Sequence, residues 1–327
     1  MTEADRAVRG DASVDVDGGG PVIREAAPDE LVECARIWRG SINDYIGRLG
    51  QPEIPDEVGP LLRLYGHLQA TDPERFVVAT GDDGTISGFG AALRRERLWF
   101  LSMLFVRPGF QGSGLGRAIL RRIMPADDEA VRATATDSAQ PISNALYASL
   151  GIVPRVPLLN LIGHVARPEA FGPMPSGITA VPFDDVAGGP DRSGHRELVE
   201  AVDALDRSTL GVAHPVDHRF LRGEDRRGWL YRGPDDTVVG YGYATEAGRV
   251  GPVAVEDADL VAPILGHLTS AVVPRGAFAM WLPGAAGPSV TAALQAGFRL
   301  DTFPVLLCWD RPFADLSRYL PISPGLL

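Results

Sequence analysis

An internal repeat is the feature of this sequence that most constrains its fold. The segment WLYRGPDDTVVGYGYA (229–244) aligns without gaps on VVATGDDGTISGFGAA (77–92), with a threonine and a glycine among the matching positions. A second pair follows in the same order, because VGPVAVED (250–257) parallels LSMLFVRP (101–108). Similar segments in the same order are typical of a duplicated unit. We therefore predict two copies of one domain in tandem.

The length and the distribution of polar residues predict where these domains begin and end. The chain has 327 residues, which suggests two domains at roughly 100–200 residues each. Residues 1–20 are polar and acidic and end in three glycines, as expected of a disordered leader. Residues 166–177 are rich in proline and glycine and are predicted to form a linker. The two domains are thus expected to span 21–165 and 178–327.

The first copy is predicted to contain strands and helices in the order β-α-α-β-β-β-loop-α-β-α-β. Apolar residues recur with helical spacing in 29–39 and in 58–69. The segment 76–94 reads as a strand, an Asp-Gly turn and a second strand. A strongly apolar strand, 97–106, then precedes a glycine-rich segment, and a final strand is expected at 155–163. This order predicts the α/β (α+β) class.

Composition excludes several functions. The net charge of −11 argues against a nucleic-acid partner, and mildly favours a cationic small molecule. No apolar run reaches the roughly 18 residues that a membrane span needs. Two cysteines, Cys34 and Cys308, are too few for a disulfide framework or a metal site, so we expect no metal and a cytoplasmic location. All 31 basic residues are arginine, which excludes lysine Schiff-base chemistry.

The segment FVRPGFQGSGLGRAIL (105–120) predicts an anion-binding loop. It lies between the apolar strand and an amphipathic helix, and the start of a helix carries unpaired N–H groups and a positive dipole end. A Walker A loop, GxxxxGK[ST], is excluded because the glycine at 116 is followed by Arg117 and not by the lysine that the motif requires. A dinucleotide fingerprint is excluded because Gly112, Gly114 and Gly116 form G-x-G-x-G, whereas the fingerprint requires G-x-G-x-x-G.

Two motifs carry a resemblance to a known family. Val106-Arg-Pro followed by QGSGLG (111–116) resembles the acetyl-CoA pyrophosphate loop of the GNAT superfamily of N-acetyltransferases, Q/R-x-x-G-x-G/A. Downstream, NALYASLGI (144–152) is similar to the family segment that contains Asn and Tyr. The second copy has only EDADLVA where the glycine loop would stand. The resemblance implies an active N-terminal and a degenerate C-terminal GNAT domain, each a mixed, mostly antiparallel twisted sheet flanked by helices.

The resemblance also implies direct transfer of acetyl from acetyl-CoA to a primary amine of a small acceptor, without an acyl-enzyme or a metal, and the net charge favours a cationic acceptor. A backbone N–H near Leu104 is expected to polarise the acetyl carbonyl. The expected acetyl-CoA contacts are Leu104, Phe105, Val106, Gln111, Gly112, Ser113, Gly114, Leu115, Gly116, Arg117 and Asn144. The alternative function is a CoA-binding sensor or scaffold without turnover. A longer acyl donor and a homodimer also remain open.

Tyr147 is the expected general acid, because a phenol with a pKa of about 10 stays protonated at neutral pH. The general base is less defined by sequence. Glu96, just before the apolar strand, is the first candidate. Its rivals are Asp44, Tyr45, His67, a water molecule and the C-terminal carboxylate of Leu327.

Overall fold

The computed structural model describes residues 21–187, 193–301 and 303–327, and the predicted leader, 1–20, lies outside them. The helices are α1 (Leu31–Arg48), α2 (Gly59–Thr71), α3 (Leu115–Ile123), α4 (Pro141–Ala148), α5 (Phe183–Ala187), α6 (Ser193–Thr209), α7 (Pro215–Gly223), α8 (Val261–Ala271) and α9 (Gly287–Ala296). The strands are β1 (Val22–Glu25), β2 (Phe76–Thr80), β3 (Ile86–Arg95), β4 (Leu98–Val106), β5 (Val131–Asp137), β6 (Val153–Gly163), β7 (Thr179–Pro182), β8 (Arg227–Arg232), β9 (Val238–Ala244), β10 (Arg249–Val255), β11 (Phe278–Pro283), β12 (Arg299–Leu300), β13 (Val305–Trp309) and β14 (Tyr319–Leu320). Within the described ranges, no helix is both long and apolar enough to cross a membrane.

The predicted order of elements in the first copy is confirmed, and one helix is longer than expected. Helix α1 continues past Arg39 to Arg48 because Ser41 and Ile46 keep its buried face in register. The extension has a consequence for the end of strand β4. The Ser41 hydroxyl donates a hydrogen bond to the Val106 carbonyl at 3.1 Å, so the second half of α1 packs beside the glycine-rich loop.

The matching glycines of the internal repeat have a common structural role. A Cβ atom at Gly90 would lie 2.6 Å from the Ile119 side chain in α3, and one at Gly242 would lie 2.8 Å from the Leu268 side chain in α8. Real Cβ atoms do not approach so closely, so only glycine lets these strands pack against their helices. The two copies therefore share a strand–helix contact as well as a sequence pattern.

The two halves exchange their terminal strands and thereby share one sheet. Its order is β1-β2-β3-β4-β5-β13-β6-β11-β10-β9-β8-β7, with β12 on β6 and β14 on β10. Strand β13 pairs with β5 from Val305↔Asp137 to Trp309↔Ala133, while β6 pairs with β11. The pairing is mostly antiparallel, with β4–β5 and β10–β11 parallel. The strand predicted at 155–163 thus exists, but its hydrogen bonds join it to the second half.

A buried network of charged side chains also joins the halves. Arg95 donates two hydrogen bonds of 2.7 Å to the carboxylate of Asp217 and one of 2.8 Å to Asp72. The His67 Nε2 atom lies 2.6 Å from Asp217 Oδ1. Burial disfavours a charge on Asp217, but hydrogen bonds from His214, His67 and Arg95 outweigh it and hold its pKa well below the usual range. The network connects α2 and β3 of the first half to α7 of the second.

Candidate functional site

Strands β4 and β5 separate at the end where the site lies. Their parallel pairing runs only from Leu98↔Val131 to Leu101↔Thr134. Beyond that point β4 stays paired with β3 up to Val106, and β5 stays paired with β13. The edge of β4 that faces β5 is therefore open over residues 102–106. Such an edge offers backbone donors and acceptors to an extended amide-containing ligand.

The glycine-rich loop forms a cradle of free donors beside this opening. Gly112 and Gly114 have φ values of 80° and 87°, a region that glycine adopts without strain. Gly114 is the N-cap of α3. Within the described ranges, the backbone N–H groups of residues 112–117 donate no hydrogen bonds, and a Cβ on either glycine would meet no atom within 4 Å. This geometry suits a pyrophosphate at a helix N-terminus.

Two side chains of the loop hold its shape. The Gln111 amide donates to the Val106 carbonyl at 3.0 Å. The Ser113 hydroxyl donates to the Phe110 carbonyl at 2.7 Å. The first bond joins the loop to the end of β4 and the second closes the loop on itself, so both side chains act by placing the backbone.

Three of the expected acetyl-CoA contacts have side chains that are engaged elsewhere. Leu115 is buried in the core and could contact a ligand only through its backbone. Arg117 donates to the Ser149 hydroxyl at 3.1 Å. Asn144 donates to the carbonyl of Asp137 at 3.0 Å, which ties α4 to the end of β5.

A cavity of about 1080 Å³ brings most of the other expected contacts together, although Ser113 and Gly114 are not in its lining. Residues of both halves line it, as does the apolar segment 322–326. The sequence-predicted residues that line the cavity are Leu104, Phe105, Val106, Gln111, Gly112, Gly116 and Tyr147. The opening between β4 and β5 and the nearest part of the glycine loop thus face one space.

Tyr147 lies on α4 and is only 5% exposed. Burial raises the pKa of its phenol well above the usual value, so the hydroxyl keeps its proton. The two cysteines are buried, and burial raises the pKa of Cys34 and of Cys308 to about 12. Neither thiol is disposed to form a nucleophilic thiolate at neutral pH.

The first candidate for the general base is not brought to the cavity. Glu96 lies in the turn between β3 and β4, where its carboxylate accepts hydrogen bonds of 3.1 and 3.0 Å from Arg207. That turn is at the opposite end of β4 from Leu104. Of the rivals, Asp44 is ion-paired with Arg48 on the surface, and His67 belongs to the buried network. Glu96 does not reach the cavity because most of strand β4 lies between its turn and the opening at residues 102–106.

Tyr45 and Asp137 line the cavity together. The Tyr45 hydroxyl donates a hydrogen bond to Asp137 Oδ2, and Asp137 Oδ1 accepts the Ala139 N–H at 3.0 Å. Burial raises the pKa of Asp137, although the hydrogen bond from Tyr45 opposes this shift. Sequence reasoning missed Asp137. The signal in the sequence was an acidic residue at the last position of the strand VRATATD (131–137).

The second half has a different structure where the first has its glycine loop. The Asp257 carboxylate accepts the Asp259 N–H at 3.0 Å and caps the short 3-10 turn that leads into α8. The Asp257 carboxylate thus accepts a hydrogen bond from a backbone N–H group that a phosphate would need. The neighbouring Glu256 adds further negative charge, so this helix start does not suit a pyrophosphate.

A buried cluster in the second half could hold a metal ion on distance grounds. One potential ligand atom from each of Asp206, His214 and His218 lies within 4.8 Å of the others. These atoms also have partners within the protein. The His218 Nε2 atom lies 2.8 Å from Asp206 Oδ2, and the Tyr241 hydroxyl donates a hydrogen bond of 2.5 Å to Asp206 Oδ1. The cluster does not line the cavity, and hydrogen bonding accounts for its arrangement.

Comparison with known proteins supports the same interpretation. Residues 72–152 match the family model described as an acetyltransferase (GNAT) domain. No curated protein sequence matches the chain. The matched range runs from before β2 to just after α4, and so includes the opening, the glycine loop and Tyr147.

Several solved structures share the fold over nearly the whole chain at low identity. A candidate acetyltransferase from Pyrococcus horikoshii has a TM-score of 0.70 at 15% identity, over 96% of this chain and 98% of that chain. A GCN5-related N-acetyltransferase from Sphaerobacter thermophilus has a TM-score of 0.56 at 19% identity, over 91% and 98%. A tandem GNAT protein from the clavulanic acid biosynthesis pathway has a TM-score of 0.52 at 14% identity, over 89% and 99%. The family model thus identifies a GNAT acetyltransferase domain within residues 72–152, and the solved structures show that nearly the whole chain shares their fold.

Proposed function

We propose that this protein is an acetyl-CoA-dependent N-acetyltransferase with its active site in the first half. It transfers acetyl directly to a primary amine of a small acceptor that is cationic as its ammonium form. The observation that carries this proposal is that the β4–β5 opening and part of the glycine loop line the same cavity. The predicted domain boundaries, the cytoplasmic location and a homodimer remain predictions.

The backbone of the first half would bind the co-substrate. The free N–H groups of 112–117 would hold the pyrophosphate, and the open edge of β4 would pair with the pantetheine amides. When bound, acetyl-CoA supplies the acetyl group as a thioester. A backbone N–H near Leu104 would donate to the carbonyl oxygen and stabilise the charge that develops there.

Two proton transfers complete the reaction. Asp137, hydrogen-bonded to Tyr45, would remove a proton from the acceptor ammonium and leave a nucleophilic amine. Its raised pKa makes this carboxylate a better base than an exposed one. Tyr147 would donate its phenolic proton to the departing thiolate. The nucleophile is the amine itself, since both cysteine thiols are buried and protonated.

The direct test is thiol release from acetyl-CoA in the presence of a panel of primary amines. We expect amine-dependent release with one acetylated product per thiol. If acetyl-CoA binds but no amine accelerates release, the protein is a CoA-binding sensor or scaffold and the proposal fails.

Replacing Tyr147 with phenylalanine should lower kcat by about 100-fold or more, a typical contribution of a positioned general acid. The dissociation constant for acetyl-CoA should change less than about twofold, because the pyrophosphate contacts are backbone groups. Single-turnover kinetics and calorimetry measure the two effects. Tyr231→Phe is the matched control, since this buried hydroxyl contacts His267 away from the cavity. An unchanged kcat in Tyr147→Phe would show that another group is the acid.

Replacing Asp137 with asparagine should lower kcat/KM by about 100-fold or more, because the amide cannot accept the proton. In the wild type, activity should fall as the pH drops through the raised pKa of Asp137, since the base is then protonated. That acidic limb should be missing from the pH profile of the variant. Asp127→Asn, at an exposed ion pair with Arg94, is the control. A variant that keeps the limb would exclude Asp137 as the base.

A further inference from the structure

The second half contributes two arginines to the wall of the cavity. Arg226 directly precedes β8, and Arg249 begins β10. Both line the cavity, as does Thr245 between them in the chain. None of these residues belongs to the match with the acetyltransferase domain, which ends at residue 152.

Arg226 has an unsatisfied donor. One of its terminal nitrogens donates to the Gly251 carbonyl at 3.1 Å. Its Nε atom is buried and has no hydrogen-bond partner within the described ranges. Burial lowers the pKa of Arg226 to about 10, and the charge of Arg249 contributes to the shift. Because Arg226 also lines the cavity and only one of its terminal nitrogens has a protein partner among the described residues, its guanidinium favours a ligand that accepts hydrogen bonds and carries negative charge.

Arg249 is held in place by its backbone. The Thr245 N–H donates to the Arg249 carbonyl at 2.9 Å, and the Arg249 N–H donates to the Thr245 hydroxyl at 3.1 Å. Among the residues that the structure describes, the Arg249 guanidinium forms no ion pair. The nearby acid Glu224 is already paired with Arg63 at 2.6 Å. Two guanidinium groups therefore line the cavity, and neither is ion-paired with a carboxylate of the residues that the structure describes.

The charges around the cavity differ from those of the whole chain. Its lining contains three acids and three arginines, namely Glu57, Asp137, Glu224, Arg63, Arg226 and Arg249. The negative excess of the chain, −11, is thus not concentrated here. A purely cationic acceptor would complement the charge of Asp137 but would place no negative charge beside Arg226 and Arg249, the arginine wall of the cavity.

We infer that Arg226 and Arg249 form a subsite for an anionic group of the acceptor, a carboxylate or a phosphate. This inference rests on the proposed function, which gives the acceptor an amine, and adds an anionic group to the same acceptor. The acceptor class is then a zwitterion, with an amine for Asp137 and an anion for the two arginines. Guanidinium groups bind both oxyanions with paired N–H donors.

The test compares matched acceptors on the full-length protein. Acetyl transfer is measured for L-amino acids against their carboxamides, and for phosphoethanolamine against ethanolamine. In the wild type, kcat/KM should favour at least one anionic member by about tenfold or more, the size expected for hydrogen bonds to a charged group. Arg226→Gln and Arg249→Gln should each reduce that preference to less than about threefold. Arg275→Gln, at an exposed site, is the control and should retain it. The carboxylate and phosphate pairs distinguish the two anions.

Binding measurements separate this inference from the proposed function. Calorimetry on the CoA-saturated protein with the same acceptors should show the same dependence on the two arginines. If binding depends on them but no acceptor is acetylated, the subsite stands and the proposed function fails. The subsite is overturned if no anionic acceptor binds or reacts, or if the preference survives in both variants. It is also overturned if the variants weaken CoA but not 3′-dephospho-CoA, because the arginines would then hold the CoA phosphate. Arg249→Gln, at an exposed residue, keeps the test valid if Arg226→Gln folds poorly.

Discussion

Gly114→Val should raise the dissociation constant for CoA by about 10- to 100-fold. Gly114 has a φ of 87°, and a side chain in a sparsely populated region of this kind costs about 1–3 kcal/mol. The variant will relieve that strain by moving the backbone, which turns the N–H groups at the start of α3 away from the pyrophosphate. To bind CoA, the variant must return these N–H groups to their original alignment and so pay the strain energy again. At about 1.4 kcal/mol for each tenfold change in affinity, this cost gives the expected rise in the dissociation constant.

Gly109→Val is the matched control for this prediction. Gly109 lies in the same loop, its Cβ position is also free of neighbours within 4 Å, and its φ is not in the left-handed region. It should bind CoA nearly as the wild type does. Titration calorimetry gives affinity and stoichiometry together. The wild type should bind one CoA per chain, and a second site that survives in Gly114→Val would contradict the assignment of only one half as CoA-binding.

Asp217→Asn should lower the free energy of unfolding by about 3–5 kcal/mol, the usual cost of removing one partner from a buried ion pair. Both carboxylate oxygens of Asp217 accept hydrogen bonds, from Arg95 and from His67. An amide has one accepting oxygen, so its NH₂ group would face an N–H donor in the interior. Chemical denaturation measures the loss, and the contact between the halves should weaken first.

The pH dependence of this loss follows from the depressed pKa of Asp217. A carboxylate with a lowered folded-state pKa stabilises the protein above its unfolded value of about 3.9. The difference between wild type and variant should therefore be constant near neutral pH and should shrink as the pH falls below about 4. Asp128→Asn, at a fully exposed acid, should change stability little. Equal losses in the two variants would show that the buried network does not stabilise the contact.

The repeat, the order of elements and the position of the glycine-rich loop could be predicted because each depends on neighbours in sequence. The spacing of Gly112, Gly114 and Gly116 determines which backbone N–H groups are free at the start of one helix. The repeat indicated a second copy, and the segment EDADLVA (256–262), which has no glycine, indicated that this copy lacks the loop. Strand and helix periodicities were enough to place β4 and α4, and with them the position of Tyr147 beside the loop.

Local patterns could not show which distant elements meet. Glu96 and Asp137 are both acids at strand ends, but only the sheet order shows that Glu96 is at the far end of β4 and Asp137 at the opening. Strand exchange is invisible in sequence, since β6 and β13 have the same pattern whichever half they pair with. The arginine wall arises only because the second half packs over the cavity of the first. Spacing along the chain was thus enough for the local geometry of the loop, while tertiary contacts decided which charges surround the cavity, because electrostatic complementarity depends on distances between residues far apart in the chain.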